Sequence, residues 1–195
     1  MVCKQLFNLP LVALLLTGTV GVRASRAQSI APAADNTGTV VNLNGHQFEI
    51  TGGSHSSDGA TLFHGFREFG LGPGEIANFL AQPQVRNILS RVSGGNASII
   101  DGLIQVSGSN ANLFLMNPAG IVFGSQARLN VPGSFTATTA DAIGFTGGWF
   151  NATGANDYAS LVGTPNQFAF TASNPGIPES GFVQESKTNS SHDND

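Results

Sequence analysis

Cysteine is all but missing. The single one, Cys3, lies in a stretch that reads as a cleavable leader. Lys4 provides a positive start, Leu9–Val22 ("LPLVALLLTGTVGV") an apolar centre, and Ser25 and Ala27 the small residues before a cut at Gln28. The mature chain is then expected to have no thiolate nucleophile, no disulfide and, with no cysteine just after the apolar centre, no lipid anchor. Long apolar runs are missing too. Leu9–Val22 contains Pro10, Gly18 and Gly21 and falls short of the roughly 20 residues a membrane helix needs. Charge is scarce: 10% of residues are Asp, Glu, Lys or Arg, against about 25% in an ordinary domain. Losing Lys4, Arg23 and Arg26 from the eight basic residues leaves five against 12 acidic ones, a formal charge of −7. Arg67, Arg86, Arg91 and Arg128 are scattered, so no basic patch is available for nucleic acid or anionic lipid.

What remains points to packing rather than chemistry. The chain has 25 glycines and 14 phenylalanines, a balance suited to short strands and tight turns. "TVVNLNG" and "HQFEITGG" alternate apolar and polar residues around Asn44-Gly45, a hairpin signal. Ala60–Leu71 alternates on both faces and reads as a mixed strand pair at best. Ile76, Phe79 and Leu80 fit one helical turn that Pro83 stops, and "VRNILSRV" reads as a strand. From Ser98 to Phe145 the rhythm is regular: "SIIDG", "LIQVSG", "NLFLMN", "GIVFG", "ARLNV", "GSFTATT" and "DAIGF" are separated by Gly, Asn, Pro or Ser. A sandwich, a barrel and a β-solenoid all fit. Asn and Gly at the corners favour the solenoid, although no exact repeat is visible.

The candidates for catalysis are few. His46, His55 and His64 recur every nine residues with Glu49 and Asp58 between them, but match no compact metal-ligand spacing. Surface or packing histidines are the better reading, and no metal or cofactor is expected. No G-x-S-x-G elbow occurs, and "GGSHSSDG" lacks the lysine and helix of a phosphate loop. Asp101 and Asp141 are the acids between Gly95 and Phe150, and both stand at strand ends where Asp commonly bonds a turn.

Three ordered stretches carry a resemblance: "LFHGFREF", "QVRNILSRVSGGNASIIDGLIQVSGSNANLFLMNPAGIVFG" and "ARLNVPGSFTATTADAIGF". Together they resemble the two-partner secretion domain at the front of filamentous-haemagglutinin-type exoproteins, over about residues 37–174. The resemblance implies an all-β fold, a right-handed parallel β-helix with a small antiparallel sheet over one end and a hairpin-like excursion from a coil. The family's Asn-Pro-Asn-Gly-Ile motif maps onto Asn117, Pro118, Ala119, Gly120 and Ile121, with Ala in its third place. An earlier Asn-Pro-Asn-Leu motif maps, more loosely, onto Gln82, Pro83, Gln84 and Val85. As residues, Asn117–Ile121 make a good turn: proline presets φ, glycine allows positive φ, and the Asn side chain can bond backbone two residues on. A turn that sets register and a contact for a partner both remain open.

The resemblance further implies a non-enzymatic secretion and folding-nucleation module. Its partner would be the POTRA domains of an outer-membrane transporter, met in the periplasm, and the product would be secreted or held at the cell surface. Any host or cell-surface carbohydrate or protein would be engaged through a passenger not seen here. The expected layout is a leader at 1–27, a lead at 28–36, the β-helix at 37–174 and a Pro/Ser/Asn-rich tail at 175–195. Family exoproteins continue into long passengers, so the chain reads as either a short exoprotein or a truncated frame. A β-helix that binds or cleaves carbohydrate is the alternative, and a passive surface solenoid a third.

Overall fold

The computed structural model describes residues 30–171 and the strand backbone of residues 183–185. The proposed leader at 1–27 and most of the tail lie outside the described residues. The strands begin with β1 (Ala31–Pro32), β2 (Thr39–Asn44), β3 (Gln47–Gly52), β4 (Ser54–His55) and β5 (Thr61–Glu68). Then come β6 (Ile76–Leu80), β7 (Asn87–Val92), β8 (Ser98–Ile100), β9 (Leu103–Ser107) and β10 (Asn112–Met116). β11 (Ile121–Phe123), β12 (Arg128–Asn130) and β13 (Phe135–Thr138) follow, then β14 (Ala142–Phe145), β15 (Gly148–Asn151), β16 (Gln167–Ala169) and β17 (Val183–Glu185). One 3₁₀ turn, Tyr158–Ser160, is the helical element among the described residues.

Parallel pairing stacks these strands into a β-solenoid. Each coil crosses a five-stranded sheet, then a seven-stranded sheet, then a narrow two-stranded one. The first coil is β3, β5 and Leu71, which bridges to Ile100; the second is β6, β7 and β8. The third is β9, β10 and β11, and the fourth β12 and β13. Identical faces stack in register, so Leu62, Ile88, Leu113 and Phe135 form one interior column, and Phe48, Ala77, Ile104 and Leu129 another. The distance between successive members shortens along the first column, which is why no exact sequence repeat is visible.

The start of the solenoid is closed by antiparallel strands. β1 runs against β5 and β2 against β3, with Ile30 buried in the interior core. The expected antiparallel cover is thus present as extensions of the two larger sheets. The hairpin-like excursion is also present: β14, β15 and β16 form an antiparallel flap. Its Ile143, Phe145 and Phe150 pack on Phe63, Leu89 and Met116, on the outer face of the seven-stranded sheet. A second core therefore lies outside the solenoid.

The structure differs from the sequence reading in three places. Ala60–Leu71 contains one eight-residue strand, β5, and not a mixed pair. Its two faces are both apolar because one looks into the solenoid and the other under the flap. Ile76, Phe79 and Leu80 lie in strand β6, not in a helical turn. Parallel pairing of Ala77 with Phe48 and Ile104 supplies long-range bonds that local spacing cannot register. The hairpin between β2 and β3 turns on Gly45-His46, one residue later than Asn44-Gly45, because Asn44 already pairs with Gln47. Positive φ at the first central residue alone is the pattern of a type II′ turn.

Candidate recognition motif

Asn117 sits where the chain leaves the seven-stranded sheet at the end of β10 and heads for the two-stranded sheet at β11. It is 1% exposed although polar, so its hydrogen bonds must be made internally. They are. Its backbone N–H donates to the Thr138 carbonyl (2.9 Å), and its carbonyl accepts from the Gly120 N–H (3.0 Å), closing the turn. Its Nδ2 donates to the Asn96 carbonyl (3.0 Å) and to Ser98 Oγ (2.9 Å) on the coil below. Its Oδ1 accepts from the Ala119 N–H (3.0 Å), the Asx turn expected from the residue type. Asn117 therefore joins three successive coils.

The rest of the motif is divided by that anchor. Pro118 and Ala119 are exposed at the tip of the turn. Gly120 has φ 116°, a region closed to most side chains, and its carbonyl accepts the Ser98 N–H at 2.9 Å. Ile121 is partly buried and packs on the interior core, starting the next strand inward. The motif contains no titratable group and is suited to shape and backbone recognition rather than to chemistry.

Gln82–Val85 forms a second turn of the same kind. The Val85 N–H donates to the Gln82 carbonyl (3.0 Å), with Pro83 again at the first central place. Gln82, Pro83 and Gln84 are exposed, and Val85 is buried in the interior core. This turn joins the five-stranded sheet to the seven-stranded one. Pro83 borders an open groove of about 390 Å³ with Gly108, Ser109, Asn110 and Pro132 from the corners stacked beside it. The two motifs thus occupy different corners of adjacent coils, and the fold does not bring them into one site.

The residues considered for catalysis are also dispersed. Asp101 Oδ1 accepts the Gln126 N–H (2.8 Å), and Asp141 bonds Thr171, so both brace backbone as turn residues do. His46 lies at the exposed hairpin tip, His55 is exposed, and His64 is buried inside the solenoid. Among the described residues no three His, Cys, Asp or Glu side chains converge as a metal site would require. Asn96, Ser98 and Thr138, which hold the Asn117 corner, were not foreseen. Their signal is positional: each lies one coil away, at separations fixed only by strand register.

Residues 27–190 match the model of the TPS secretion domain. Over 77 residues the chain is 36% identical to the heme/hemopexin-binding protein of Haemophilus influenzae, covering 39% of this chain and 8% of that one. Over 66 residues it is 33% identical to the tRNA nuclease CdiA of an Escherichia coli strain, covering 34% of this chain and 2% of the relative. The chain thus spans less than a tenth of either relative's length. Among solved structures, the HMW1 secretion domain of Haemophilus influenzae aligns with 58% of this chain and 27% of its own, at 25% identity and a TM-score of 0.43. With the match extending over residues 27–190, this chain belongs to the TPS secretion domain family.

Proposed function

We propose that the chain is the secretion signal and folding nucleus of an exoprotein, read in the periplasm by the POTRA domains of an outer-membrane transporter. The family match over residues 27–190 carries this reading. The cleavable leader would deliver the chain to the periplasm, and the absence of cysteine from the mature part suits passage through a pore as an unfolded strand. Folding outside would proceed coil by coil, each coil offering its strand edges to the next. β11 of the third coil and β12 of the fourth end their sheets with no further partner among the described residues, whereas β17 covers β13, so the far end of the solenoid offers two such edges. Recognition by strand addition suits a client of this composition, because main-chain bonds give affinity without requiring charge.

Within this reading, Pro118 and Ala119 are the contact residues of the Asn117 turn, and Asn117 is its anchor. Secretion of the full chain co-expressed with its transporter tests the division. Pro118→Ser with Ala119→Lys is expected to retain the chain in the periplasm and abolish binding to the purified POTRA domains, with the urea midpoint unchanged. Asn117→Ala is expected to lower stability by about 2 kcal/mol, since it strands the Ala119 N–H and the Asn96 carbonyl. Normal secretion of the double variant would remove recognition from this turn. Transporter-independent release of the wild-type chain would overturn the functional reading itself.

A further inference from the structure

One hydrogen-bonded chain crosses the molecule from its interior core to its flap, through the residues that precede β2. It starts at His64, which β5 points into the solenoid, between Phe66 (centroids 6.1 Å) and Phe79 (5.8 Å). His64 Nδ1 lies 3.3 Å from Thr39 Oγ1. Thr39 donates its hydroxyl hydrogen to Thr37 Oγ1 (3.2 Å), and Thr37 donates to Asp35 Oδ1. The Thr39 hydrogen is therefore committed, and the histidine contact has to be Nδ1–H donating. Asp35 then turns the chain outward. Its Oδ2 accepts from both Arg91 Nε (3.1 Å) and Nη2 (2.9 Å), an ion pair in which two guanidinium donors share one carboxylate oxygen, with side chains only 3% (Arg91) and 15% (Asp35) exposed.

Arg91 carries the chain into the flap. Its Nη1 donates to the Asn151 carbonyl (2.8 Å) at the end of β15 and to the Gly154 carbonyl (2.9 Å) beyond it, and its guanidinium lies 6.0 Å from the Phe150 ring centroid. Room for the ion pair is made by Gly65, the neighbour of Arg91 in the sheet: a β-carbon there would collide with the Asp35 carboxylate. Partial burial pushes the Asp35 carboxyl up, but the bonds from Thr37 and Arg91 and the Arg91 charge outweigh it and hold it below its ordinary value.

We propose that Asp35 is a latch that couples seating of residues 30–39 to closure of the flap, so that the two segments loosen together. The physical reason is the cost of a buried cation. With Asp35 displaced, the Arg91 guanidinium is left without its counter-charge under the flap, and the cheapest relief is for the flap to lift and admit water. Conversely, a lifted flap withdraws two carbonyls and a ring face from Arg91 and exposes the ion pair to screening, which weakens the hold on Asp35. A free-energy coupling of this kind is reciprocal.

Hydrogen exchange of the purified full chain tests it, region by region. Asp35→Asn is expected to speed exchange in residues 30–39 and, by roughly tenfold or more, in residues 142–169, while β6 and β9 stay near wild type. Ile143→Asp, which unseats the flap from its other side, is expected to speed exchange in residues 30–39 as well. Should Asp35→Asn not fold, Thr37→Val removes the hydroxyl that orients the carboxylate and reads the same two regions. Loosening of residues 30–39 with an unchanged flap overturns the latch, as does a rise spread evenly over β6 and β9.

Discussion

His64 shows how burial decides what a side chain can do. On sequence it belonged to a spaced set with His46 and His55. In the fold it is the interior member, and burial, with a smaller repulsion from His55, pushes its pKa from 6.5 down to about 3. The folded chain therefore keeps His64 neutral where the unfolded chain protonates it. Above pH 6.5 both states are neutral and stability is complete; as pH falls from 6.5 toward 3 the unfolded chain binds a proton that the folded one refuses, and stability declines. Urea titrations at pH 7.5 and pH 5 are expected to differ by about 1–2 kcal/mol from this group. His64→Gln should flatten that slope whatever it does to absolute stability. An equally steep slope in the variant would assign the pH dependence to other groups.

At the scale of elements, β5, β7 and β10 matter because both of their faces are covered. The inner face builds the solenoid core, and the outer face, with Phe63, Leu89 and Met116, needs the flap. Ring contacts of Phe63 with Phe145 (6.0 Å), Phe150 (5.2 Å) and Tyr158 (5.2 Å) show how closely that second core is filled. Ile143 is fully buried in it. A carboxylate there would be buried in an apolar cluster, so Ile143→Asp is expected to release the flap. The released face should bind the dye ANS strongly while far-UV circular dichroism keeps its strand signal, since the parallel stack is intact. No gain in dye binding would mean that the flap tolerates the charge. Only part of this element logic was legible in advance. The apolar spacing on both sides of Ala60–Leu71 was visible, but what covered each side was not.

For the whole molecule, stability is expected to be graded along the solenoid axis, because each coil touches mainly its neighbours. Phe79 lies in the second coil, 1% exposed, against Phe66 (6.2 Å) and Phe69 (6.0 Å). Phe123 lies at the end of the third, 38% exposed, with Phe135 edge-on at 6.1 Å. Phe79→Ala should cost about 3–5 kcal/mol in urea unfolding. Phe123→Ala should cost about 1 kcal/mol, since its ring already meets solvent. Equal losses would contradict a graded stack.

The strand run from Ser98 to Phe145, the apolar interior and the turn at Asn117 all follow from local composition. Each depends on neighbours within a few residues: alternation sets a face, and proline and glycine set a turn. Asn117 bonding Ala119 was readable for that reason. Its bonds to Asn96, Ser98 and Thr138 were not, because they follow from register between coils of unequal length. The same limit hid the pairing of Asp35 with Arg91, which sequence shows only as two isolated charges. Tertiary structure alone decided that His64 faces inward, that Ile76–Leu80 is a strand and that an outer core forms beneath the flap. Those outcomes depend on bonds and burial between residues tens of positions apart, and no local pattern encodes which distant strand will arrive beside a given one.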